Sequence, residues 1–251
     1  MRAAQSALTR LLVRDIRNLR RLIDPARQDE SIPVWMSAIR ALVGQYGAAS
    51  AAIAADAYDR QREHAGVPGR FTAEAAEAAP DEQVEASLRW AAKDLWPTDE
   101  PQEPFASRLA VAEQRAEAVA QKLVADQGRA TTRQAVDQDR GAVAYARAAA
   151  LGGCSFCKLM ASRGAVYKNA RTAGRDANER FSGDASVVKF HNNCHCTIVP
   201  VFRGQQFELS PHAAEWDRLY REYAQGHSGD QLRLFRRALA DHDRYSLPAA
   251  H

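Results

Sequence analysis

Fifty of the 251 residues are alanine, and no other feature narrows the fold as much. Alanine loses no side-chain entropy in a helix, whereas sheets draw on β-branched and aromatic residues. With only 14 glycines and 10 prolines to interrupt it, the chain is expected to be mainly α, and not a barrel or sandwich. At roughly 150 residues per domain its length allows one large domain or two modest ones. The formal net charge of +3 is too small for a protein that holds polyanions by bulk charge, so nucleic-acid binding is not expected.

Apolar spacing locates the helices. Leu8, Leu11, Leu12, Ile16, Leu19, Leu22 and Ile23 recur at three- and four-residue spacing, with Arg10, Arg14, Arg17, Arg20 and Arg21 on the remaining surface, read as a solvated face. Asp24 and Pro25 should close this helix. Ser31 and Pro33 suggest the start of a second one, with Trp35, Ile39, Leu42, Val43 and Tyr46 as its stripe and an alanine-rich middle suited to close packing. It should run past Tyr58 and break at Gly66, Pro68 and Gly69. A third helix follows Asp81, with Val84, Leu88, Trp90 and Leu95. A fourth carries Phe105, Leu109, Ala112, Ala116, Val119 and Leu123 inward, and Gly128 should end it.

Beyond about residue 130 the texture changes. Residues 141–151 read as a short strand, although their alanines fit a helix nearly as well, while 165–167 and 197–202 are better strand candidates from their β-branched and aromatic residues. Residues 169–186 read as a long loop. Ser210 and Pro211 form an N-cap and first-turn pair for a helix bearing Trp216, Leu219, Tyr220 and Tyr223, which Gly226 stops. Asp230 can cap a last helix. The expected organisation is a helical bundle over 1–130, a smaller α+β Cys/His module resembling a zinc knuckle over 131–205, and C-terminal helices over 206–251.

All four cysteines fall between Cys154 and Cys196. No run approaches the ~18 apolar residues of a membrane span, and arginines interrupt the N-terminal apolar positions where a signal peptide would be continuous. Synthesis in a reducing cytoplasm therefore favours metal ligation over disulfides. Cys154-Ser-Phe-Cys157 is followed by His191-Asn-Asn-Cys194-His195-Cys196. Two thiolates on a tight turn can share one ion, and a distant histidine and cysteine can complete a tetrahedron. The preferred set is Cys154, Cys157 and His191 with either Cys194 or Cys196. In an extended segment His195 points away from its two neighbours. A closed Cys3His zinc site leaves no open position for water, so its role would be structural. For hydrolysis there is no G-x-S-x-G elbow around Ser155 or Ser162, and His64, His212, His227 and His242 lie in polar helical surroundings. A triad assembled in space leaves no such mark, so the catalytic residues of an enzymatic reading stay unknown.

The run from Cys154 and Cys157 through Leu159, Ala161-Ser162-Arg163-Gly164 and Tyr167, then Phe190-His191, Cys194, Cys196 and Pro200-Val201-Phe202, resembles the Mu F-like head morphogenesis proteins of tailed bacteriophages. The resemblance is strongest to versions from phages of actinobacteria. Tyr58 to Gly69 (YDRQREHAGVPG) and the stretch ending Phe235-Arg236-Arg237-Ala238 resemble the same proteins more loosely. The resemblance implies a minor capsid protein made in the bacterial cytoplasm and incorporated inside the procapsid. Its partners would be portal, scaffold or major capsid protein, with self-association left open. Relatives also carry the label capsid maturation protease, which is the enzymatic alternative. A third reading is a DNA-contacting protein ejected with the genome.

Overall fold

A computed structural model describes residues 1–98, 103–165 and 196–246. Among them are seven α-helices and one two-stranded sheet, so the protein is mainly helical. The described residues form two compact units. One contains 1–61 and 70–135; the other contains 62–69, 136–165 and 196–246.

The first unit is built from α1 (Arg2–Asn18), α2 (Gln28–His64, whose last residues belong to the second unit), α3 (Asp81–Ala92) and α4 (Phe105–Gln138, likewise). Its core is one continuous cluster. Leu12 and Ile16 of α1, Ile32, Trp35 and Ile39 of α2, Leu88 of α3, and Leu109, Ala112 and Ala116 of α4 all belong to it. Each large aliphatic side chain so buried contributes about 1.5–3 kcal/mol. The helical spacing therefore selected the buried face, with two exceptions: Leu11 of α1 is 42% exposed, and Trp90 of α3 is 47% exposed and lies under the Arg115 guanidinium, 5.6 Å from the ring centroid.

Three helix ends differ from expectation. The first helix changes to a 3-10 turn at Leu19–Leu22. Asp24 then shapes the turn, its Oδ1 accepting from Ala26 N at 2.9 Å. That backbone bond, followed by the hydrogen bond from the Arg27 side chain, holds the Asp24 carboxyl below the usual aspartate range. The second helix begins at Gln28, so Pro33 lies inside it. Ser31 is not its N-cap: the hydroxyl donates to Asp24 O at 3.2 Å.

The third difference is Gly128, which does not end α4. The helix runs ten residues further, to Gln138. A Cβ at Gly128 would lie 2.6 Å from Ser50 Oγ and 3.1 Å from Ser50 O. The glycine is there because α2 comes that close, and sequence spacing cannot distinguish this from a helix stop.

Two arginines expected on the solvated face of α1 reach across to α4. Arg17 makes a forked pair with Glu117, at 2.7 and 3.1 Å, and Arg20 binds Glu113 at 2.9 Å. Residues 70–80, outside any helix or strand, are fastened by side chains. Ala73 N donates to Asp59 Oδ1 at 2.9 Å, Ala76 N to Thr131 Oγ1 at 3.0 Å, and Gln127 Nε2 to Ala76 O at 3.0 Å. Phe71 packs edge-on against Tyr58.

The second unit contains β1 (Ala142–Ala148) and β2 (Thr197–Phe202), paired antiparallel with Tyr145 opposite Pro200 and Ala148 opposite Thr197. A register shift between Ala142 and Ala144 leaves Val143 exposed, while Tyr145 and Arg147 are buried. An isolated pair of strands is marginal. Here α5 (Ser155–Ser162) packs on β1, and α6 (Pro211–Tyr223) and α7 (Gln231–Ser246) pack on α5. Ser210 caps α6 as its sequence indicates, its hydroxyl accepting from Ala213 N, and Gly226 turns the chain at φ 87°. Tyr223, expected on the inner stripe, is 48% exposed. Ala165 lies outside any strand; residues 166–167 and the expected loop at 169–186 lie outside the described residues.

Candidate functional site

Cys154 is the N-cap of α5. Its backbone is extended (φ −64°, ψ 162°), and its sulfur accepts from Cys157 N at 3.4 Å. This arrangement satisfies one of the unpaired donors of the first turn. The two cysteines differ in burial: Cys154 is exposed and Cys157 is buried. Gly153 supports the turn, since a Cβ there would meet Ala150 O at 2.9 Å, with the Cβ atoms of Ala149 and Cys157 each at 3.6 Å.

Cys196 is buried immediately before β2. Because Ala148 pairs with Thr197, Cys196 is at the same end of the sheet as Ala149 and hence as the turn that leads into Cys154. The topology brings Cys154, Cys157 and Cys196 to one end of this unit. Thiol donors at a helix N-terminus beside a strand end suit a soft cation. Among the described residues, however, no group of three His, Cys, Asp or Glu side chains is assembled to hold an ion. His191 and Cys194, the other expected ligands, lie outside the described residues, as does His195.

The surroundings of the cysteines were not anticipated from sequence. Arg147 of β1 is 4% exposed, and its guanidinium lies over the Phe156 ring, inside the Cys154-Ser-Phe-Cys157 turn, 5.6 Å from the centroid. A cation over an aromatic face in a dry setting contributes about 2 kcal/mol. The available signal was an arginine in phase with Tyr145 on a strand otherwise rich in alanine. On α5, Lys158 lies over Trp216 of α6, and His212 stacks on the same indole.

Both serines weighed for catalysis, and His242, make contacts of their own. Ser162 is buried and donates to Leu159 O at 2.8 Å within its own helix. Ser155 Oγ accepts from Arg236 Nε at 3.3 Å. His242 Nε2 is 3.0 Å from Glu215. The Arg218 guanidinium, first, and then His242 hold the Glu215 carboxyl below its ordinary range.

The run Tyr58 to Gly69 is occupied with architecture. In the first unit Tyr58 donates to Ala135 O at 3.3 Å, and Asp59 accepts from Ala73 N. In the second, Arg62 Nε donates to Asp139 Oδ2 at 2.9 Å, while its terminal nitrogens reach the carbonyls of Val67, Pro68 and Gly69 at 3.3, 3.0 and 3.0 Å. Asp139 in turn accepts from Gly141 N at 2.8 Å and so launches β1. A Cβ at Gly141 would be 2.3 Å from Val67 Cγ1. Arg62 and Asp139 form a buried ion pair, with side chains 10% and 3% exposed.

The chain is helix-dominated, with one small sheet on which α5 packs, and the motif residues described make packing contacts and turns. Comparison with known sequences gives its place: residues 1–224 match the VG15 protein family. The chain therefore belongs to that family, which is phage-associated. No curated protein and no solved structure matches it. Among the described residues no helix is long and apolar enough to cross a membrane.

Proposed function

We propose that the chain is a Mu F-like minor capsid protein that acts in phage head assembly by docking to portal, scaffold or major capsid protein inside the procapsid. The observation that carries this reading is membership of a phage-associated family over residues 1–224. Support also comes from the use made of the motif residues. Tyr58, Asp59, Arg62 and Asp139 fix helix ends and turns, as expected of a scaffold for partners and not of a substrate site.

Co-expression with the portal, scaffold and major capsid proteins tests the proposal. Incorporation of the chain into particles, with precursor masses unchanged, is the expected result. Particles that assemble without it would overturn the reading. Precursors shortened only in its presence would replace it with the capsid maturation protease.

The same reading gives zinc a structural place at Cys154, Cys157 and His191, with Cys194 or Cys196 as fourth ligand. The ion would tie the start of α5 to the start of β2. Protein purified under reducing conditions is expected to carry zinc in proportion to chain, and Cys154→Ser and Cys196→Ser are the informative variants. Metal-free protein, with both variants folding normally, would remove zinc from the account.

A further inference from the structure

The segment that leads from β1 into α5 places two thiols in unequal surroundings. Cys154, the N-cap of α5, is exposed, and Cys157, three residues on, is buried. Cys154 O accepts from Lys158 N at 3.0 Å, so the helical spiral begins at this residue. Residues three apart on a helix lie ~5 Å apart at Cα, inside the ~4.4–6.8 Å that a disulfide spans. The bond from Cys157 N to Cys154 Sγ at 3.4 Å brings the backbone of residue 157 against the exposed sulfur.

Both residues between the cysteines are held from other elements. Arg236 of α7 donates to Ser155 Oγ, and the Arg147 guanidinium of β1 lies over the Phe156 ring. The turn is thus fixed before any reactant arrives. On its N-terminal side the approach is open: Leu151 is 61% exposed, Gly152 is exposed, and a Cβ at Gly152 would meet nothing within 4 Å. One accessible sulfur with a shielded one behind it is the arrangement that thiol–disulfide exchange uses, because the first attacks a reactant and the second releases it.

We infer that Cys154 and Cys157 form a dithiol–disulfide couple that exchanges with small disulfides such as glutathione disulfide, with Cys154 as the attacking sulfur and Cys157 as the resolving one. Cys154 gives up its proton and attacks one sulfur of glutathione disulfide. The sulfur–sulfur bond of the reactant breaks, and one glutathione leaves, taking up a proton. Cys157 then gives up its proton and attacks Cys154 Sγ, which forms the Cys154–Cys157 bond and releases the second glutathione as a thiol. Two protein thiols are oxidised and one disulfide is reduced to two thiols, so atoms and electrons balance. The couple is independent of the docking role. Zinc at Cys154 and Cys157 would use the same sulfurs, so metal and disulfide exclude each other.

The full chain, freed of metal with a chelator, is equilibrated with glutathione buffers of rising oxidised fraction, quenched in acid, alkylated and read by peptide mass spectrometry. The expected product is an intramolecular Cys154–Cys157 disulfide, with Cys196 still alkylated. Cys157→Ser should retain one glutathione on Cys154 as the stalled mixed disulfide, and Cys154→Ser should leave Cys157 unmodified. In the parent chain a maleimide should label Cys154 at least roughly tenfold faster than Cys157, a readout that requires no variant to fold. Equal labelling, glutathione on Cys157 in Cys154→Ser, a bridge from either residue to a different cysteine, or no disulfide at any buffer ratio would overturn the inference. So would loss of helical circular dichroism in the metal-free chain, since the couple needs a folded turn. Zinc-loaded chain should resist the same buffers; a chain that binds no zinc but forms the disulfide removes the zinc reading and leaves this one.

Discussion

Trp35 and Arg147 are buried to nearly the same degree, 1% and 4% exposed, in two units that achieve burial by different means. Trp35 belongs to one apolar cluster with Ile32, Ile39, Leu88 and alanines of α3 and α4, where contact is non-directional. Around Arg147 the structure uses directed devices: a guanidinium over Phe156, a sulfur cap on α5, and the Arg62–Asp139 pair at the entry to β1. The second unit also buries Ile198, Phe202, Trp216 and Phe235, but a two-stranded sheet is marginal by itself, so the polar bonds at its ends carry more of the sheet's order. The first unit should therefore yield gradually to substitution and the second abruptly.

The largest expected effect is in the second unit. Asp139→Ala strands a buried guanidinium and should destabilise by about 3–5 kcal/mol, measured by urea unfolding. Hydrogen exchange should place the lost protection in β1 and β2, with the amides of α1 to α3 little changed. Equal loss in both units would break the contrast. Next is Gly128→Ala. An ordinary glycine inside a helix gains about 1 kcal/mol on this change. Here the Cβ meets Ser50, and overpacking should cost about 1–3 kcal/mol instead, so the sign of the shift in Tm is decisive. Ser210→Ala should cost about 1 kcal/mol through loss of the α6 cap, read from the same unfolding curves.

The smallest effect depends on pH. The Tyr46 hydroxyl, and then Arg14, hold the Asp15 carboxyl below its ordinary value. A depressed carboxyl contributes stability above its unfolded-state pKa and loses it as pH falls through the lower folded value. Tyr46→Phe should thus be less stable than the parent at neutral pH and indistinguishable from it in acid. A difference that persists below the ordinary aspartate range would show that the phenol acts by packing and not by its hydrogen bond.

The same contrast explains what could be read from sequence. In α1 to α4 the apolar spacing marked Leu12, Ile16, Ile39, Leu88 and Leu109 as core, because one face of a helix must be apolar to pack. In the second unit only local chemistry was legible. Ser210-Pro211 announced a helix start, and β-branched residues announced 197–202 as a strand. The partner of Arg62 is 77 residues away, and the ring under Arg147 is on another element; spacing along a chain carries no record of either. Gly128 shows the limit from the other side. Its role depends on the distance to Ser50, a tertiary quantity, while the local rule pointed to a helix end. Of the expected zinc ligands, the C-x-x-C turn was legible as local sequence, whereas the placement of Cys196 at the same end of the sheet as Ala149 required the strand register.

Residues 70–80 have a consequence for how the first unit can be taken apart. The hydrogen bonds at Ala73 and Ala76 come from Asp59, Thr131 and Gln127, on two different helices. When those helices separate even slightly, the ribbon between them loses its anchors before any helical turn has melted. A protease nick in that ribbon would act as a clock for the first breath of the bundle.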